Sequence, residues 1–201
     1  MGNKREDILE KALLHFASEG YQAASMEHIA ADAGVSKPAI YYHFRDKKAL
    51  YEELLCPRFE KLREEIETAT HGEEPLRGIE KYIDSFGGFL LDEIHFSSLF
   101  ARELTGGGAT MPESCLEIIG AMVGVLDNLL KEGEKRAIFR KENPFMIQML
   151  IVSPLLTYMT TGPIRERIAM ELERKNSEEI EAEMSNILSD LKDKIIRGLK
   201  C

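Results

Sequence analysis

The chain has 201 residues, 44% hydrophobic and 30% charged, which is enough apolar sequence for a compact core and excludes an intrinsically disordered protein. The net charge of −9 lies entirely beyond residue 63, because residues 1–63 contain ten basic and ten acidic residues. The three cysteines are scattered and form no C-x-x-C pair: Cys56, Cys115 and Cys201. The sequence therefore predicts no zinc site and no disulfide framework, and a reducing, cytoplasmic location is expected. The start of the chain lacks a secretory signal pattern, and the most apolar run, residues 145–159, is too short to span a bilayer.

Apolar residues recur along the chain with the period of about 3.6 residues that is typical of helices, and no alternating pattern predicts a strand. A first helix is predicted over residues 4–19 and ends at Gly20. Two short helices follow between Ser25 and Phe44. Gly34 is expected to turn the chain between them, because glycine adopts the left-handed backbone conformation at little cost.

Both short helices have a predicted N-cap. Ser25 and Ser36 are hydroxyl residues placed to accept a hydrogen bond from the first helical turn, and proline at position 38 means that Ser36 must accept from Ala39. Ile40 and Phe44 are four residues apart and are predicted to dock the second short helix on the first. This packing leaves five side chains facing outward: Lys37, Ala39, Tyr41, Tyr42 and His43.

The outward side chains suit a helix that reads duplex DNA. Lysine can donate to bases or phosphates, and alanine lets a helix approach the floor of the groove. Four basic residues between Lys37 and Lys48 stand against Asp46, so this stretch is net +3 in an acidic chain. Each residue alone fits ordinary packing or solvated surface charge. Together, in this order, they favour a DNA-binding helix-turn-helix.

The segment from about Ile8 to Leu54 resembles the DNA-binding domain of the TetR family of bacterial transcriptional repressors. The matching pieces are Gly20–Tyr21, Ser25–Met26, Ile29–Ala30, Ala33–Gly34–Val35–Ser36, Tyr41–Tyr42–His43–Phe44, and Lys47 with Leu50. This set is long and ordered, so it is more specific than a single short motif. The remaining chain resembles the family only in helical layout and length.

The resemblance implies roles for individual residues of the helix-turn-helix. Glu27 departs from the family pattern, because some relatives have a basic base-reading residue there; it either accepts from cytosine N4 or serves the helix dipole. The residues implied to face bases are Lys37, Pro38, Ala39 and Tyr41. Those implied to hold phosphates are Ser25, Tyr42, His43 and Lys47, and Met26 and Ser36 complete the predicted DNA-binding set.

The rest of the chain is also predicted to be helical. The expected helices cover about residues 46–70, 76–92, a short segment ending near Leu104, residues 113–131, residues 143–162, and a last segment near the C-terminus. The helix over residues 46–70 is expected to be bent or loosened at Cys56–Pro57, and Gly133 is expected to close the helix over residues 113–131. The predicted fold is therefore all-α with about nine helices. It consists of a three-helix helix-turn-helix domain, residues 1–50, and a larger C-terminal domain, residues 51–201, to which the resemblance assigns effector binding and dimerisation.

The last helix carries one apolar stripe, which fits either the core of its own subunit or a subunit interface. A helix-turn-helix module usually reads two half-sites as a dimer, and the TetR family dimerises through its last two long helices. A homodimer is therefore expected. The interface residues predicted on this stripe are Met184, Ile187, Leu188, Leu191 and Ile195.

The central helices are rich in phenylalanine and methionine, which usually indicates ordinary core. The family resemblance implies instead that some of these residues enclose a small, apolar effector. The predicted pocket residues are Phe86, Phe89, Phe96, Phe100, Met122, Gln148, Met149 and Tyr158. No catalytic motif or metal-ligand spacing is present, so neither an enzyme, a metal site nor a cofactor is expected.

The resemblance thus implies a regulator, most simply a repressor, that binds a palindromic duplex operator and is released by its effector. The alternative is a helical DNA-binding or adaptor protein without a small-molecule effector. An adaptor would show no salt-dependent affinity for DNA, whereas contacts to phosphates require it.

Overall fold

The computed structural model describes residues 4–171 and 186–200, and within these ranges it contains ten α-helices and no strand. The all-α prediction is confirmed. The helices are α1 Lys4–Glu19, α2 Met26–Asp32, α3 Lys37–His43, α4 Lys47–Thr70, α5 Pro75–Asp92, α6 Ile94–Thr105, α7 Glu113–Lys135, α8 Pro144–Thr160, α9 Gly162–Glu171 and α10 Ile187–Leu199.

The helices form two compact units. Unit 1 comprises the chain up to Arg63 together with Glu93–Gly120, and unit 2 comprises Glu64–Asp92 together with the chain from Ala121 onward. Helices α4 and α7 each contribute residues to both units. The boundary between the two compact units therefore differs from the predicted domain boundary after residue 50. That boundary separates a predicted DNA-binding domain from a predicted effector-binding domain and stays a prediction.

Unit 1 is built on α1, which packs against α2 and α6. Phe16 of α1 lies fully buried against the ring of Tyr51 on α4, with ring centroids 4.8 Å apart. The Tyr51 hydroxyl donates to the buried carboxylate of Glu103 on α6 at 2.5 Å, so this polar group is paired within the core. Arg102, the preceding residue of α6, donates to the carbonyl of Ala17 at 2.8 Å near the end of α1. These contacts tie α6 to the N-terminal helices.

A disulfide between Cys56 of α4 and Cys115 of α7 lies inside unit 1, with Cα atoms 5.1 Å apart. The expectation of no disulfide is wrong for this pair. The two cysteines are 59 residues apart, and only the packing of α4 beside the start of α7 brings them together. Pro57 follows within α4, which continues as a helix to Thr70, so the predicted loosening of its middle is not observed.

Unit 2 places α5 against α8 and α10. Lys192 of α10 donates to Asp84 of α5 at 2.6 Å. Gly133 does not end α7 as predicted, because the helix continues to Lys135. Its lack of a side chain serves a close approach instead: a methyl group at Gly133 would overlap the buried ring of Phe139.

The apolar helix α8 does not by itself form a candidate membrane span. Across residues 4–171 and 186–200, no single helix is long and apolar enough to cross a membrane. Helices α8 and α9 reach the required length and composition only as a pair, and they bend by 73° at the break between them.

Candidate nucleic-acid interface

The turn between α2 and α3 has the geometry that the sequence predicted. Gly34 has φ of +63°, in the region that favours glycine, and the amide of Val35 donates back to Ala30 at 2.9 Å. The Ser36 hydroxyl accepts from the amide of Ala39 at 3.3 Å, so the predicted cap of α3 is confirmed. The turn and the cap fix the direction in which α3 leaves α2.

Helix α3 is docked by one buried face. Ile40 is 0% exposed and Phe44 is 1% exposed, which agrees with the predicted docking pair. On the opposite face, Tyr42 is 86% exposed and Tyr41 41%. The surface of α3 and its flanks therefore presents these predicted DNA-binding residues to solvent: Ser36, Lys37, Pro38, Tyr41 and Tyr42, with Ala39 and His43 half-buried beside them.

An ion pair joins α2 and α3 on this surface. The Lys37 ammonium lies 2.5 Å from Oε1 of Glu27, and the two side chains remain 62% and 49% exposed. The Ser25 hydroxyl donates to the other carboxylate oxygen of Glu27 at 3.0 Å. These donors, Lys37 first, lower the pKa of Glu27 to about 2, and the carboxylate in turn raises the pKa of Lys37.

Two predictions about the start of α2 need correction. Ser25 occupies the N-cap position, but its hydroxyl makes no capping hydrogen bond, because it donates to the carboxylate of Glu27 instead. Met26 is buried, so its side chain belongs to the core of unit 1 and does not face outward. Only the backbone of Met26 remains a candidate for contact with DNA.

Lys47, predicted to hold a phosphate, contacts its own unit. Its ammonium donates to the carbonyls of Ala24 at 2.7 Å and Gln22 at 3.1 Å. It also lies 4.7 Å from the centroid of the Tyr21 ring. Partial burial lowers the pKa of Lys47. The side chain therefore holds the segment between α1 and α2 against the start of α4.

His15 of α1 is a residue of this region that the sequence analysis did not identify. Its ring nitrogens lie 2.7 Å from Glu19 and 2.8 Å from Asp32, which joins α1 to the end of α2. Burial would lower the pKa of His15, but the hydrogen bonds to the two carboxylates outweigh it, and the pKa is raised. Asp32 is 17 residues away, so no local sequence signal marks this contact.

The predicted pocket residues divide between the two units. Phe96 and Phe100 belong to unit 1, where both pack edge-on against Phe59 of α4. The others belong to unit 2. Among these, Gln148 accepts from the buried hydroxyl of Tyr82 at 2.7 Å, while Met149 is 61% exposed on α8. The remaining predicted pocket residues of unit 2 are Phe86, Phe89 and Met122, which are buried, and Tyr158, which is half-buried.

The predicted interface residues lie on α10, except Met184, which is outside the described residues. Ile195 is buried within unit 2, and Leu188 packs against Gly87 of α5, where a methyl group would overlap it. Leu191 and Ile195 line a groove of about 420 Å³ beside Met146 and Leu150 of α8. The predicted stripe therefore contributes both to the core of its own unit and to a surface groove. Ile187 is half-buried.

A short helix, a glycine turn and a capped second helix with an exposed polar and basic face define a helix-turn-helix protein. Residues 8–54 match the family described as "Bacterial regulatory proteins, tetR family". The resemblance drawn from the sequence is thereby confirmed.

One relative and two solved structures illustrate the similarity of this chain to known proteins. The chain is 37% identical over 86 residues to the HTH-type transcriptional activator FasR of Mycolicibacterium smegmatis, a match that covers 40% of this chain and 39% of that relative. A tetR-family regulatory protein from Rhodococcus RHA1 has a TM-score of 0.75 with 16% identity, covering 100% and 99% of the two chains. The regulator FadR from Bacillus subtilis, solved in complex with stearoyl-CoA, has a TM-score of 0.69 with 17% identity, covering 96% and 98%. The structural matches show a shared fold.

Proposed function

We propose that the chain is a homodimeric transcriptional regulator, most simply a repressor, that binds a palindromic operator and is released by a small apolar effector. The observation that carries this proposal is the exposed face of α3. It presents hydroxyl and ammonium groups from a helix that is held by Ile40, Phe44 and the Ser36 cap. This arrangement supports insertion of α3 into a major groove.

The test of DNA binding is selection of duplexes from random sequence, followed by titration of the selected duplex at several salt concentrations. Each phosphate contact should contribute about 0.9 to the slope of log affinity against log salt. A selected sequence with two related half-sites and a steep salt slope is the expected result. A chain with no salt-dependent affinity for any duplex would contradict the proposal and favour an adaptor.

The exposed apolar face of α8 supports a homodimer. Phe145 is 66% exposed, Met149 61% and Met146 53%, although α8 is otherwise part of the core of unit 2. The groove between α8 and α10 continues this face and is lined mainly by apolar side chains. A second copy of the chain, presenting the same face, would cover both by two-fold symmetry.

Met149→Asp tests this interface. An unpaired charge in a buried interface costs several kcal/mol, on the order of 3–5, so we expect light scattering to show monomers. Operator affinity should fall with the dimer, because one half-site alone binds weakly. Leu104→Asp is the matched control, since Leu104 lies on α6 in unit 1 and is 50% exposed. If the Met149→Asp protein stays dimeric, the proposed interface is wrong.

The proposed effector is apolar, with a long acyl chain as the first class to test. The support is the aromatic core of unit 2 and the fold shared with a FadR solved in complex with stearoyl-CoA. Helix α4 begins at Lys47 and ends in unit 2, so it gives a continuous path from the α2–α3 region to the effector domain.

Calorimetric titration with stearoyl-CoA, with and without saturating operator, tests this coupling. A coupling of about 1–3 kcal/mol would make the two affinities differ by roughly 5- to 150-fold, and linkage requires the same factor in both directions. Equal affinities in the two titrations, or no binding, would exclude this effector class.

A further inference from the structure

The Glu27–Lys37 ion pair places an acceptor and a donor side by side on the proposed reading surface. The Lys37 ammonium can only donate hydrogen bonds, and the ionised Glu27 carboxylate can only accept them. Their polar atoms lie 2.5 Å apart, and both side chains remain about half exposed. The pair therefore offers solvent a neutral, two-part hydrogen-bonding pattern.

The carboxylate is held in place from both sides. Lys37 binds Oε1, and the hydroxyl of Ser25 donates to Oε2 at 3.0 Å. Because the pKa of Glu27 is lowered to about 2, the acceptor is ionised over the whole physiological range. The Ser36 cap and the Gly34 turn fix the helix that carries Lys37. Both halves of the pattern are thus ordered before DNA binds.

The spacing assigns both groups to one base pair. Successive base pairs are stacked about 3.4 Å apart, which is more than the distance between the two polar atoms. In the major groove, a G·C pair presents guanine N7 and O6 as neighbouring acceptors, followed by the cytosine N4 donor. An ammonium beside a carboxylate matches this order. In an A·T pair the adenine N6 donor lies between two acceptors, adenine N7 and thymine O4, and the thymine methyl group follows. The lysine would then have one neighbouring acceptor instead of two, so the ion pair fits an A·T pair less well.

We infer that Glu27 and Lys37 read one G·C base pair in each half-site as a unit, with Lys37 donating to guanine and Glu27 accepting from cytosine N4. This inference rests on the proposed function and adds the base pair that the site recognises. Glu27 is then a specificity residue and not only a partner of the helix dipole.

Selection from random duplexes with three proteins tests the inference. The wild-type protein should prefer G·C over A·T at one position of each half-site by roughly 5- to 150-fold. Glu27→Ala should weaken that preference and leave the other positions unchanged. Asp7→Ala is the matched control, since Asp7 pairs with Lys4 on the exposed surface of α1, at 3.3 Å; its selected sequence should equal that of the wild type.

The exchange variant Glu27→Lys/Lys37→Glu provides the sharper result. It keeps the ion pair but reverses donor and acceptor, so the preferred pair at that position should change from G·C to C·G. Circular dichroism melting confirms that each variant is folded. The inference is overturned if Glu27→Ala keeps the full preference for G·C over A·T, or if the exchange variant still prefers G·C to C·G at that position. Either result would leave the proposed DNA binding intact. If the wild-type protein selects no duplex, the proposed function itself fails.

Discussion

Removing the ammonium of Lys47 should destabilise unit 1 more than it changes contacts with phosphates. The change Lys47→Met keeps most of the apolar stem and deletes the two hydrogen bonds to Gln22 and Ala24. It also deletes the contact of the ammonium with the Tyr21 ring. The segment between α1 and α2 would then lose these attachments to α4, while the contact of the Tyr21 ring with Tyr51 would remain.

The expected loss follows from these contacts. A hydrogen bond from a charged donor contributes about 1.5–3 kcal/mol, and a cation–π contact at an exposed site about 0.5–1 kcal/mol. Lys47 is only partly buried, so the low end of each range applies, and the exposed carbonyls regain water in the variant. We therefore expect the free energy of unfolding to fall by about 2–3 kcal/mol.

Urea unfolding of wild type, Lys47→Met and Lys48→Met measures this loss. Lys48 is the neighbouring exposed lysine, so its substitution should leave the free energy of unfolding within about 0.5 kcal/mol of wild type. Operator titrations of the same proteins supply the salt slope. If Lys47→Met is as stable as wild type but its salt slope is lower by about one, Lys47 is a phosphate ligand and our structural interpretation is refuted.

Three further predictions concern stability. The pKa of His15 is raised in the folded state, so its ion pairs stabilise the protein fully below a pH of about 6.5 and this stabilisation is lost as the pH rises through the folded pKa. Urea unfolding at several pH values should show this dependence in the wild type and not in His15→Gln. Gly133→Ala should cost about 1–3 kcal/mol by overlap with Phe139, whereas Gly120→Ala in the same helix, with no neighbour near its added methyl, should be neutral or stabilising; equal melting temperatures would contradict this. Breaking the Cys56 disulfide should cost about 4 kcal/mol because the closed loop is long; an unfolding midpoint insensitive to reductant would show that the bond does not form.

The parts of the site that the sequence predicted correctly depend on neighbours a few residues apart. The Gly34 turn, the Ser36 cap and the Ile40–Phe44 docking face all follow from local rules of helix termini and helical spacing. Ser25 shows the limit of those rules, because Glu27 two residues later competes for its hydroxyl.

The features that sequence reasoning missed depend on long-range packing. Lys47 reaches carbonyls 23 and 25 residues away, and Tyr51 reaches Glu103 across 52 residues. The partner of Cys56 lies 59 residues along the chain. No periodic pattern marks such pairs, because each depends on how whole helices meet.

The Glu27–Lys37 pair also bears on how the protein would move along DNA before it finds a site. A lysine already neutralised by a carboxylate displaces few counterions, so it adds little to the nonspecific attraction that holds a sliding protein to the phosphates. Lys48, which is exposed beside the reading surface, would supply that attraction instead. The ion pair would then lengthen the residence time of the protein on DNA only at a base pair that it can hydrogen-bond. Rapid scanning and selective arrest would thus be carried by different side chains.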